Sequence, residues 1–148
     1  MAQEMYKHDA LMHLVYIVAK ADAPITNEWS NEVSNEEIEY FDKIKKAEGI
    51  SLDFSDFIDK RISLGKKDGW DSILEEALKA TNGCGRAWRT KVYGYMWRMA
   101  LKSWEGEYSS GGDKSKVSDN EYAIIKRAQN YFKITDEEDD KAIALTKV

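Results

Sequence analysis

The apolar positions along this chain recur with helical spacing, and nowhere do they alternate for long enough to suggest a strand. Leu11, Leu14, Val15 and Val18 stand at i, i+3, i+4 and i+7, one face of a first helix. Phe41, Ile44 and Ala47 mark a second helix, and Phe54, Phe57, Ile58 and Ile62 a third. Trp70, Ile73, Leu74, Ala77 and Leu78 give a fourth. A fifth, longer helix carries Trp88, Val92, Tyr95, Met96, Met99 and Ser103 on one side and Tyr93, Trp97, Leu101 and Trp104 on the other. A helix that is apolar on two sides is enclosed by neighbours, so this one is expected at the centre. Tyr122, Ile125, Ala128 and Phe132 mark a sixth helix, and Ala142 with Leu145 a short seventh.

Helix starts are signed as clearly as helix faces. Ser34-Asn-Glu-Glu37, Ser118-Asp-Asn-Glu121 and Thr135-Asp-Glu-Glu138 all have the form of a capping box. In each, the hydroxyl can accept from the third helical N–H while the Glu reaches back to the N–H of the cap. Asn82-Gly83-Cys84-Gly85 reads as the turn between the fourth and fifth helices. The expected fold is therefore an all-α single compact bundle of about seven helices.

The chain also repeats itself. Val33-Ser34-Asn35-Glu36-Glu37 aligns with Val117-Ser118-Asp119-Asn120-Glu121. Ile50 and Ile134 follow at matching distances, then Ser51 and Thr135. Upstream, an apolar helix ends in Lys20-Ala21-Asp22-Ala23 in one copy and in Ser103-Trp104-Glu105-Gly106 in the other. The period, about 84 residues, is too long for a solenoid of short repeats. It predicts one domain, residues 1–148, with an internal pseudo-twofold between halves at about 8–64 and 86–148.

A helix ending in an acid-Gly pair, a loop, a Ser-x-x-Glu box and a further helix, all occurring twice, resembles the tellurite-resistance TerB-like family. The resemblance runs over roughly residues 8–146. The acid-Gly pair reads Asp22-Ala23 in the first half and Glu105-Gly106 in the second, as in a divergent member. The resemblance implies a compact bundle of about seven helices, a place in a stress or tellurite-resistance system, and metal binding through acidic residues.

The acids give that implication a concrete form. Asp22 and Glu105 fall in the last turn of their helices, where the macrodipole disfavours negative charge by roughly 0.3–1 kcal/mol. The loops after them, 23–33 and 106–117, exceed the usual connection of about 4–6 residues. Both are rich in oxygen donors: Asn27, Glu28, Asn31 and Glu32 in one, Glu107, Ser109, Ser110 and Asp113 in the other. Such donors suit hard ions, Ca²⁺, Mg²⁺ or Mn²⁺. The candidate metal ligands are Asp22 with Glu37 in the first half and Glu105 with Glu121 in the second. The same four residues have a second reading, in which Glu37 and Glu121 only cap helices and Asp22 and Glu105 are solvated helix ends. Neither loop has the EF-hand pattern.

Composition narrows the remaining classes. Lys and Arg number 22 against 27 Asp and Glu, a net charge of −5, which argues against a nucleic-acid partner. One proline and nine glycines point away from an all-β chain. Cys84 is the single cysteine, so no internal disulfide forms and a cytoplasmic location is expected. The longest apolar stretch, Leu11 to Ala19, contains His13 and is too short to span a membrane. His8 and His13 are five apart, off the i, i+4 spacing that would put them on one helix face. No Gly-rich nucleotide-binding motif occurs, and no base accompanies the Cys84 thiol. Arg86, Arg89, Lys91, Arg98 and Lys102 are interleaved with the aromatics of the fifth helix and are expected to pair with acids from neighbours. The acids 136–140 read as the first turn of the seventh helix, which its dipole favours, or as a docking face for a basic partner.

The function expected from all this is non-enzymatic: a divalent-metal-binding accessory protein of a stress or tellurite-resistance system. The alternative is a helical protein–protein interaction module that binds no ion. Either would have a protein partner, and a homodimer is compatible with both.

Overall fold

A computed structural model describes residues 7–19, 21, 35–50, 70–101 and 117–146. They form α1 (Lys7–Ala19), α2 (Asn35–Glu48), α3 (Trp70–Asn82), α4 (Arg86–Leu101), α5 (Asp119–Phe132), a 3₁₀ turn (Asp136–Glu138) and α6 (Asp139–Ala144). The fold is all-α, with six α-helices and no strand among the described residues. The predicted helix at 54–62 lies outside the described residues.

Helices of 13–16 residues are marginal alone in water, so burial against neighbours must hold them. In α1 nine consecutive residues, Ala10 to Val18, are buried. In α4 another nine, Val92 to Ala100, are buried. The central place expected for α4 is what the structure has. It packs against α1, α3, α5 and α6, while α1 packs against α3, α4 and α5. Ile73, Leu74, Ala77 and Leu78 of α3, and Ile125, Ala128 and Phe132 of α5, are buried around this pair.

Three side chains sit differently from the apolar pattern. Tyr122 is 44% exposed and Leu145 57%, although both belong to the helical spacing of apolar residues. Ala47 is exposed too, because α2 turns Tyr40, Phe41 and Ile44 inward, and the next position on that face is Glu48. The Glu48 side chain is only 8% exposed, and its carboxylate is bonded to α4. A hydrogen-bonded acid thus extends the inner face past the last apolar residue.

The ends of the helices follow local chemistry. Ser118 Oγ accepts from the Glu121 N–H at 3.1 Å, and Glu121 Oε1 accepts from the Ser118 N–H at 3.0 Å, so the box at the start of α5 is reciprocal. Glu138 Oε1 accepts from both the N–H and the hydroxyl of Thr135, each at 3.1 Å, and opens the 3₁₀ turn. Gly85, at φ +100°, supplies the left-handed step of the predicted turn, and its carbonyl accepts the Arg89 N–H of the first turn of α4.

α2 and α5 end alike. Each is 14 residues long. Each closes on a left-handed residue, Gly49 at φ 66° and Lys133 at φ 57°. The next residue, Ile50 or Ile134, then donates its N–H to the carbonyl five places back, Lys45 or Gln129. This is the Schellman closure, with the following isoleucine returning to the core. Every member of this set lies 84 residues from its counterpart.

Candidate functional site

The four candidate metal ligands meet different fates. Asp22 and Glu105 lie outside the described residues. Glu37 is the third residue of α2, and its side chain is not among those described. Glu121 is the third residue of α5, is 6% exposed, and holds the capping box. Among the described residues no group of three or more His, Cys, Asp or Glu side chains is placed to hold a metal ion.

The polar groups that do converge are those around α4. Apolar burial makes this helix central, and the buried polar groups of Tyr93, Tyr95 and Arg98 need partners there, since an unpaired buried polar group costs several kcal/mol, ~2–7. The Tyr93 hydroxyl donates to Asp139 Oδ1 at 2.5 Å, joining α4 to the first residue of α6. Asp139 is 7% exposed. Burial pushes the Tyr93 phenol far above its usual value, and the Asp139 bond pushes the same way. Arg98 lies one turn on from Tyr93 and Gly94. Its Nε donates to the Ile143 carbonyl at 3.0 Å and to Thr146 Oγ1 at 3.1 Å. A cation thereby sits on the C-terminal carbonyls of α6, where the helix dipole favours it. Burial lowers the affinity of the guanidinium for its proton, and the neighbouring Tyr40 and Tyr95 phenols oppose that.

On the α2 side, Glu48 is the junction. It accepts from the Tyr95 hydroxyl at 2.9 Å and forms a salt bridge with Lys91 at 2.7 Å. Burial raises the Tyr95 phenol well above its usual range, and the bond to Glu48 adds to that. The buried Tyr40 hydroxyl donates to the Tyr95 carbonyl at 3.4 Å, and burial raises this phenol as well.

Gly94 completes this face of α4. A Cβ there would lie 2.7 Å from the Ala142 carbonyl carbon and 2.9 Å from Thr146 Cγ2, so α6 crosses α4 backbone to backbone. Arg86 adds an exposed contact, a 2.7 Å salt bridge to Glu138. Residues 86, 93, 94 and 98 thus hold the chain from 138 to 146 along one side of the central helix.

The remaining sequence candidates resolve individually. The aromatics of α4 are core: Tyr93, Tyr95 and Trp97 are buried and Trp88 is half-buried. Arg86 and Lys91 pair with acids of neighbouring elements as expected. Arg98 is buried and gives its Nε hydrogen to a carbonyl and a hydroxyl of the C-terminal segment. His13 is buried with Nδ1 against the Asp9 carbonyl. His8 meets the edge of Trp88 with ring centroids 5.8 Å apart, and Lys7 Nζ lies 4.8 Å from the Trp88 ring. The Cys84 thiol is exposed and donates to the Ala80 carbonyl.

The acids 136–140 form the 3₁₀ turn and the first turn of α6. Asp136 accepts from Lys126 at 3.1 Å and from Gln129 at 2.6 Å, Glu138 meets Arg86, and Asp139 meets Tyr93. These acids fasten the C-terminal segment to α4 and α5. Asp139 is buried in the joint, while Asp136 and Glu137 stay exposed.

Sequence reasoning missed the joints made by Tyr93, Tyr95, Arg98 and Glu48. The available signal was the presence of polar side chains on a helix apolar on both sides. It tells that partners exist and leaves their identity open. Compared with known proteins, the chain matches no protein-family model, no curated protein and no solved structure. No helix among the described residues is long and apolar enough to cross a membrane.

Proposed function

We propose that the chain is a non-enzymatic helical accessory protein of the TerB-like kind, acting in a stress or tellurite-resistance system by docking a partner protein on its surface. The observation that carries this reading is the Tyr93–Asp139 pair and its neighbours. The polar side chains that converge do so across helix joints, each bonded to a partner on another element, in the manner of a scaffold. The kinship rests on the duplication, for which the shared length and shared closure of α2 and α5 speak, along with the nine-residue buried runs of α1 and α4. On this reading the whole chain is one domain of about seven helices, two halves related by a pseudo-twofold, located in the cytoplasm.

A second reading keeps the cation sites, Asp22 with Glu37 and Glu105 with Glu121, filled by Ca²⁺, Mg²⁺ or Mn²⁺. One observation favours it. The Glu121 carboxylate is buried at the start of α5, next in the chain to the oxygen-rich stretch 106–117. A thermal-shift scan of metal-stripped protein separates the two, because a ligand that binds only the folded state raises the melting temperature. The docking reading expects melting to be indifferent to millimolar Ca²⁺, Mg²⁺ and Mn²⁺. A saturable rise that disappears in the Asp22→Asn, Glu105→Gln double variant would replace it with the cation reading.

A further inference from the structure

We draw no further inference here: the strongest candidate, the exposed Cys84 thiol in the turn between α3 and α4, is a lone cysteine at a helix N-terminus, and among the described residues no second observation there points to a ligand.

Discussion

Lys133 holds, at the end of α5, the left-handed position that Gly49 holds at the end of α2, with nearly the same φ. A glycine adopts that conformation without strain, whereas a side chain with a Cβ does so at a cost. The two positions therefore make opposite predictions. Lys133→Gly should stabilise the protein by about 0.5–1 kcal/mol, and Gly49→Ala should destabilise it by about 1 kcal/mol or more. Urea denaturation midpoints measure both. Equal effects of the same sign would mean that one of the two closures is not as described.

Gly94 makes the sharper case for backbone geometry. In an ordinary helix interior, Gly→Ala stabilises by about 0.8–1.0 kcal/mol. Here the added methyl would run into the Ala142 peptide group, and backbone cannot swing aside as a flexible side chain can. Gly94→Ala should therefore lose about 1–3 kcal/mol, the cost of overpacking. Amide exchange should quicken at Thr146, whose N–H is bonded to the Ile143 carbonyl within the same contact. A stabilised Gly94→Ala protein would show that α6 does not cross α4 at this point.

The Tyr93–Asp139 bond joins two buried groups, so removing one partner leaves the other desolvated. Hydrogen bonds to charged groups contribute about 1.5–3 kcal/mol, and Tyr93→Phe should cost that much. A double-mutant cycle with Asp139→Ala isolates the pair. Coupling of at least about 0.5 kcal/mol is expected for residues in contact. Additive effects would mean that the joint contributes packing alone.

The pH dependence at the alkaline end has a definite sign. Tyr40, Tyr93 and Tyr95 all have phenols raised by burial above the ordinary value of 10.0. A group raised on folding contributes stability that is complete below its unfolded value and is lost as pH climbs above it. Stability should accordingly fall from about pH 10 upward. In a titration followed at 295 nm, these phenols should ionise together with the loss of near-ultraviolet circular dichroism. Smooth ionisation of all tyrosines in a still-folded protein would contradict their burial.

The acid end runs the other way. Glu138 is held below the usual carboxylate range first by the Thr135 N–H, then by the Thr135 hydroxyl, with Arg86 helping. Its contribution is present above the unfolded value and is lost as pH falls through the folded one. Stability should decline below about pH 4.3, and Glu138→Gln should make that decline shallower. The Glu138 side chain is 26% exposed and that of its partner Arg86 65%, so the effect should also shrink in molar salt.

These cases also mark what could be read from the chain itself. The Ser118–Glu121 and Thr135–Glu138 boxes were legible because their partners are three residues apart, and local geometry alone brings them together. The enclosed position of α4 was legible from its two apolar sides. The partners of Tyr93, Tyr95 and Arg98 were not, since they lie 46, 47 and 45 residues away in sequence and only the packing of α2 and α6 selects them. Tyr122 misled because aromatic spacing does not tell a core position from the rim. There its ring lies against Trp97 and under Lys126 Nζ while nearly half its surface stays in water.

The candidate carboxylates remain to be separated from their structural duty, and Glu121 permits it. Glutamine serves in a capping box as glutamate does, since its carbonyl oxygen can accept the Ser118 N–H. Glu121→Gln should therefore stay within about 0.5 kcal/mol of the parent, while Glu121→Ala should lose about 1 kcal/mol with the cap. A divalent cation distinguishes the same two side chains sharply, because the amide has lost the charge that a hard ion seeks. If Glu121 does nothing beyond capping, parent and Glu121→Gln proteins should show the same melting temperature with and without Ca²⁺, Mg²⁺ or Mn²⁺. If the ion raises the melting temperature of the parent and leaves that of Glu121→Gln unchanged, the carboxylate has a second role at the start of α5, and docking alone no longer describes the protein.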